Sequence, residues 1–290
     1  MESNKTIRIF AGATAIVTGG ASGIGRALAI ELARRQCHVV VADLQIDLAA
    51  EVVSEIARTG GSARAEQIDV TDWAGVEQLV QSTHKRSGRL DYIFNNAGIH
   101  ISGGVEHYSP EDWNLLIDIN LRGVIHGVQA AYPIMVAQGF GHIINTSSIA
   151  GLLTSPGSVG YSATKFAVVG LSKSLRVEAV RKGIRVSVLC PGVIRTPLLE
   201  QGGKYGRQVE HIPAEEQNRM WESLRPMDPA AFARGVIAAV AKNKAVIIAP
   251  AWWQLLWWMA RLTPALETLI FRKAFENTRR RLGDLPTATH

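Results

Sequence analysis

Short runs dominated by Val, Ile and Leu alternate along the chain with longer stretches of helical periodicity. Residues 15–18, 38–42, 63–68, 90–94, 142–146, 185–189 and 245–248 read as strands, with little polar alternation, as expected for a parallel sheet covered on both faces. Residues 24–35, 48–59, 74–87, 111–138, 162–182 and 229–242 read as helices. Ser109-Pro110-Glu111-Asp112 marks a helix start, with a capping Ser, Pro at the first position and acids in the first turn. Repeated strand–helix alternation predicts an α/β fold, a single doubly wound parallel sheet of about seven strands. No linker, repeat or low-complexity segment divides it.

Composition narrows the class. The chain has 290 residues, 47% hydrophobic and only 19% charged, against roughly 25% charged in an average chain. Disorder and collagen are excluded. Between residues 123 and 164 there is no Asp, Glu, Lys or Arg, yet that run is too rich in Gly, Ser, Asn and Gln for a membrane span. Net charge is +6, and half of it lies in the last thirty residues, so the body is nearly balanced and offers no nucleic-acid face. Cys37 and Cys190 alone make no disulfide scaffold, and no Cys or His cluster has metal spacing. The absence of a signal-peptide pattern or a long apolar span points to a cytoplasmic protein.

The first strand runs into Thr18-Gly19-Gly20-Ala21-Ser22-Gly23-Ile24-Gly25, a strand-to-helix turn in which glycines let the backbone approach a pyrophosphate on a helix N-terminus. Asp43 closes the second strand. An acid there hydrogen-bonds adenosine ribose hydroxyls and repels a 2′-phosphate, which favours NAD over NADP. No Lys or Arg precedes Gly23 in the turn and Gln45 is neutral, so nothing would neutralise a phosphate. Asp69-Val70 and Asn95-Asn96-Ala97-Gly98 follow the third and fourth strands. Ser147-Ser148 closes the fifth, and Tyr161-Ser162-Ala163-Thr164-Lys165 opens the next helix. Tyr161 and Lys165 share a helix face. A cation beside a phenol lowers its pKa, so Tyr161 is expected to titrate below its ordinary value and to exchange protons.

Taken in order, these residues resemble the short-chain dehydrogenase/reductase family over roughly residues 13 to 249. Thr18, Gly19, Gly23 and Gly25 match its glycine motif. Asn120, Ser148, Tyr161 and Lys165 match its catalytic tetrad, with Ser148 thirteen residues before Tyr161, and Pro191-Gly192 with Thr196 match the segment flanking nicotinamide. The resemblance implies a Rossmann-like fold and an oxidoreductase moving a hydride between alcohol and ketone. Tyr161 would be the general acid/base and Ser148 would steady the substrate oxygen. Lys165 would tune Tyr161 and bind nicotinamide ribose, and Asn120 would hold a relay water. Gly19, Ser22, Gly23, Ile24, Gly25, Asp43, Asp69, Val70, Asn96, Ala97, Gly98, Tyr161, Lys165, Pro191, Gly192, Val193 and Thr196 would bind NAD. No metal is implied. A non-catalytic dinucleotide sensor and a reductase of polar carbonyls are the alternatives.

Two loops should line the pocket, residues 98–105 and 193–226, the second with Gly202-Gly203 as a hinge. Leu152, Leu153, Leu198, Leu199, Met220 and Trp221 suggest an apolar pocket suited to a steroid-like or long-chain secondary alcohol. Residues 1–250 form the expected catalytic domain, and 251–290 a helical extension. Its Trp252-Trp253-Gln254-Leu255-Leu256-Trp257-Trp258-Met259 is apolar except for a narrow Gln254/Arg261 stripe. That suits a subunit interface in a homodimer or homotetramer, a pocket cover, or peripheral contact with an anionic membrane.

Overall fold

The computed structural model describes residues 6–282 except 201, 203 and 211. In chain order its elements are β1 (Thr14–Thr18), α1 (Gly23–Arg34), β2 (His38–Asp43), α2 (Ile46–Arg58), β3 (Ser62–Gln67), α3 (Trp73–Ser87), β4 (Tyr92–Asn95), β5 (Ile101–Ser102), α4 (Pro110–Ile117), α5 (Gly123–Gln138), β6 (Gly141–Thr146), α6 (Val159–Ala179), β7 (Ile184–Pro191), β8 (Arg207–Gln208), α7 (Ala214–Ser223), α8 (Pro229–Ala241), β9 (Val246–Ala249), α9 (Trp252–Leu262) and α10 (Pro264–Leu282). Seven strands form one parallel sheet in the order β3-β2-β1-β4-β6-β7-β9. The order reverses between β1 and β4, so the crevice for a ligand lies at the carboxyl ends of those strands.

Strand side chains alternate between two cores because the pleat has period two. Val17, Val39, Val41 and Phe94 pack with Leu28, Leu32, Val52 and Phe232 from α1, α2 and α8. Ile16, Val40, Ile93 and Ile143 pack with Leu79, Val80, Val128 and Val168 from α3, α5 and α6. Both faces are therefore apolar, which is why the strands read as continuous hydrophobic runs rather than alternating ones.

Three features depart from the expected elements. The single helix expected over 111–138 is α4 and α5 joined by a π-helical turn, Asp118–Arg122, that carries Asn120. The loop expected over 193–226 contains α7, and its β8 pairs in parallel with β5. Strands of two residues carry no readable periodicity. The capping of α4 matches expectation: Ser109 and Asp112 bond reciprocally across its first turn.

At the amino ends of the strands Asp91 is fully buried. It accepts from the backbone N–H of Thr14 at 2.9 Å and of Arg8 at 3.0 Å, and it pairs with Arg89 at 2.5 Å. Removing the carboxylate takes the counter-charge from a buried guanidinium and the acceptor from two backbone N–H groups. Asp91→Ala is expected to lower the unfolding free energy by about 3–5 kcal/mol in urea titration; a change under about 1 kcal/mol would contradict this role.

Candidate active site

The glycine turn after β1 is built by close backbone approach. Gly19 has φ +63°, and a Cβ there would sit 2.8 Å from Ala97 Cα; Gly23 has φ +51° and lies against Thr196. A side chain on Gly25 would overlap the carbonyl of Gly19. Thr18 Oγ1 accepts from the N–H of Asn96 at 2.9 Å and of Ala97 at 3.1 Å, and Asn96 Nδ2 donates to Thr18 O at 3.1 Å. These bonds tie the turn to the end of β4. Ser22 caps α1 with no side-chain hydrogen bond, and the first turn holds no acid. Its N–H groups and Ile24 behind them form a positive helix end with no acid in its own first turn, which fits a pyrophosphate.

Asp43 ends β2, buried, and its carboxylate accepts from Ala21 N at 2.9 Å and Gln45 N at 3.0 Å. Those bonds hold it beside the turn, in position for a ribose. One expectation is corrected here. Lys204, from the loop after β7, donates to Gln45 Oε1 at 2.7 Å. A cation does stand at this edge, brought there by the fold from far along the chain. Asp69 lies at the surface, where it accepts from Thr71 N at 2.8 Å, and Val70 is buried against Gly123.

Deeper in the crevice, β6 delivers Ser147 and Ser148 and α6 delivers Tyr161 and Lys165. The two serines separate cleanly. Ser147 Oγ donates to Lys165 O at 2.7 Å, whereas Ser148 Oγ accepts from Ala150 N at 3.1 Å and is the serine that acts on the Tyr161 phenol. Lys165 Nζ donates to Thr146 O at 3.1 Å and lies 5.4 Å from the Tyr161 ring centre. A side chain on Gly98 would press on both Lys165 Nζ and Asn120 Oδ1. Pro191 ends β7. Gly192 is covered by the indole of Trp253, and Val193 is buried with Leu153.

A further expectation is corrected. Tyr161 was expected to titrate low beside Lys165; instead burial, opposed by the Ser148 hydrogen bond, pushes its phenol up to about 12. Burial acts on the lysine as well and pulls it down to about 8. Desolvation of both groups outweighs their mutual effect. The Asn120 side chain clamps a backbone: Oδ1 accepts from Ile99 N at 2.8 Å, and Nδ2 donates to Ile99 O at 3.0 Å and Thr164 Oγ1 at 3.4 Å. Both amide hydrogens are engaged, and the π-helical turn lets the residue face the loop after β4.

Three contributors were missed by the sequence reading. His100 meets the Tyr161 ring edge-on at 4.7 Å, is bonded through Nε2 to Ser158 Oγ at 2.9 Å, and is held neutral by burial and by Lys165, down to about 4. Cys190 is buried beside Lys165, its thiol pushed up to about 12. Trp253 arrives from α9. His100 stands two residues after Gly98, Cys190 directly precedes Pro191, and Trp253 lies in the segment read as a possible pocket cover. Of the residues expected in the pocket, Leu153, Leu199 and Trp221 join Trp253 in one apolar cluster. Leu152 packs instead below the sheet, and Met220 and Leu198 are in neither cluster. Gly202 is buried against the carbonyl of His100; Gly203 lies outside the described residues.

The loop after β7 is pinned rather than free. Arg207 pairs with buried Asp112 at 2.5 Å, and Glu210 Oε2 accepts from Gly104 N at 2.8 Å. Although no metal cluster was expected, Glu106, His107 and Glu210 converge here; Arg279 of α10 serves as their cation, 2.9 Å from Glu210.

Comparison with known proteins agrees with this geometry. The sequence model of the short chain dehydrogenase family matches residues 13–204. A 2,5-dichloro-2,5-cyclohexadiene-1,4-diol dehydrogenase, LinX, of Sphingobium indicum is 40% identical over 188 residues, 65% of this chain and 75% of its own. Oxidoreductase UcpA of Salmonella typhimurium is 37% identical over 190 residues, 65% and 72% of the two chains. A solved short chain dehydrogenase/reductase from Burkholderia phymatum in complex with NAD superposes with TM-score 0.79 at 28% identity, over 90% of this chain and 96% of its own. The chain belongs to the short chain dehydrogenase family. It is an oxidoreductase of the alcohol dehydrogenase/reductase type that works with a nicotinamide dinucleotide.

The buried amine has a thermodynamic signature. The folded state holds the Lys165 proton less tightly than the unfolded chain, about 8 against 10.5, so its contribution to stability rises as pH climbs through that window. Lys165→Met is expected to stabilise the fold by up to about 3 kcal/mol at pH 7, with the gain fading between pH 8 and 10.5. A variant that is less stable than the parent throughout would contradict this.

Proposed function

We propose that the protein interconverts a lipophilic secondary alcohol, steroid-like or long-chain, and its ketone. The observation that carries the reading is the meeting of Ser148, Tyr161 and Lys165 at the end of β6, beside the glycine turn. Ser148 holds the substrate oxygen and opposes the charge that develops on it. Tyr161 gives that oxygen a proton in reduction and takes it in oxidation. As a neutral phenol it is ready to donate; oxidation first requires its proton to leave through Lys165. Asn120 acts as a positioning residue, fixing the segment after β4 against α6, so any relay water is left to its main chain. Gly19, Ser22, Gly23, Ile24, Asn96, Ala97 and Gly98 hold the dinucleotide, with Val70, Pro191, Gly192, Val193 and Thr196 along its length. The nicotinamide, when bound, supplies the other end of the hydride transfer.

NAD is the proposed partner. Asp43 is fixed by two backbone N–H groups and presents its charge where a 2′-phosphate would lie. The apolar cluster of Leu153, Leu199, Trp221 and Trp253 supports a lipophilic substrate, and the name of the Sphingobium relative describes a ring alcohol. Residues 251–290 act in this reading as a cover on the catalytic domain of residues 1–250. The exposed side chains Val159, Phe166 and Val177 on α6, with Val180 in the turn after it, offer a face for a second copy in a homodimer. The free thiols Cys37 and Cys190 suit a reducing, cytoplasmic setting.

Tyr161→Phe is expected to cut turnover of lipophilic secondary alcohols at least a thousandfold while leaving NAD affinity, read by calorimetry, within about threefold; turnover near the parent rate would overturn the assignment. Asp43→Ala is expected to move the NADP-to-NAD ratio of kcat/KM by tenfold or more toward NADP, since one removed like charge is worth up to about 4 kcal/mol. An unchanged ratio would show that Asp43 does not set the preference.

A further inference from the structure

α9 is apolar on two sides, and only one side is used. Its stripe Trp253, Leu256, Trp257 and Ala260 packs onto Leu153, Val193 and Trp221 above the crevice. The opposite stripe, Trp252, Leu255, Trp258 and Leu262, is exposed, with Leu255 and Leu262 more than 70% accessible. α10 continues that outer surface through Leu266, Leu269 and Ile270, also exposed. A single residue outside helical geometry, Thr263, joins the two elements, so the two exposed apolar stripes are consecutive in the chain and adjacent on the surface.

The charges around this face are one-sided. Between residues 251 and 280 five cations stand against Glu267 and Glu276. Glu267 is turned inward onto Thr154 N at 2.7 Å, and Arg279 is turned inward onto Glu210. Among the described residues of α9 and α10, Arg261, Arg272, Lys273 and Arg280 are exposed, and the exposed acid among them is Glu276, next to Arg272. Arg261 lies 5.3 Å over Trp257 and 5.9 Å over Trp258, the pairing of aromatic body and cationic head found at lipid–water boundaries. Neither helix can cross a bilayer: among the described residues no helix is long and apolar enough. Against a second copy, a two-fold interface would set this same positive face on itself. An anionic surface answers both its charge and its apolar stripe.

We infer that the outer face of α9 and α10 docks the protein on an anionic lipid bilayer, with α9 lying in the interface plane. The substrate end then faces the membrane, and a lipophilic substrate can pass from acyl chains to the crevice beneath α9; this last consequence rests on the substrate reading above, whereas the docking does not.

The test uses the full chain without substrate or cofactor. Flotation is measured with phosphatidylcholine vesicles and with vesicles containing 30% phosphatidylglycerol, alongside tryptophan emission. The expected result is partition at least tenfold stronger into the anionic vesicles, a blue shift of emission, and a tenfold or larger loss in Leu255→Glu/Leu262→Glu. Both substituted residues are exposed, and unchanged circular dichroism and NAD affinity would confirm the variant's fold. Equal partition of parent and variant, or equal partition into neutral and anionic vesicles, would overturn the proposal. So would a parent that floats with neither and whose mass in solution falls by half in the variant, since the face would then belong to a second copy. Loss of activity on lipophilic alcohols with flotation intact would sink the substrate reading alone.

Discussion

The site depends on one uncomfortable group: a lysine amine buried against a neutral acceptor. Lys165 follows a long stretch without a charged residue, and its hydrogen bond goes to the carbonyl of Thr146. Burial without a carboxylate lowers its proton affinity, holds His100 neutral beside it and leaves Cys190 as a protonated thiol. A carboxylate partner would make the amine more comfortable and would also fix its charge. The neutral surroundings leave it able to gain or lose a proton near working pH, which a proton relay requires. Stability is lost so that the chemistry can run.

Everything that positions this amine is backbone geometry. Ser147 holds the carbonyl of Lys165, and Gly98 leaves room for the ammonium. Asn120 clamps the loop after β4 through a π-helical turn that an ordinary helix would not permit. The far wall is less regular. It is made by the loop after β7 and by α9 and α10, joined through Glu210, Arg279, Glu267 and Trp253. The part that varies with substrate is thus built from late, peripheral elements, while the proton chemistry sits on the sheet.

Much of this was legible in the chain. The alternation of strands and helices, the glycine turn, Asp43 and the Tyr161/Lys165 pair are local patterns whose spacing alone sets their geometry. The exceptions share a cause. Lys204 reaches Gln45, and Trp253 reaches Gly192, across distances in sequence that no local pattern spans. The direction of the Tyr161 shift was misread because spacing reports the nearby cation but not the dielectric around it, and the dielectric prevails. The π-helical turn was invisible because residues 111–138 keep helical periodicity through it. The tail offered several readings because an apolar circumference does not say which side is covered; Trp253 and Leu255 are neighbours in type, but one is buried and the other bare.

The central claim, that burial rather than pairing governs the site, can be read on the lysine itself. Carbon-13 resonances of the lysine Cε atoms can be followed against pH in labelled protein and in a Lys165→Arg variant. The account predicts one lysine that titrates near 8 and is missing from the variant. If every lysine titrated above 10, the amine would be solvated or paired, and the account of the site would be wrong.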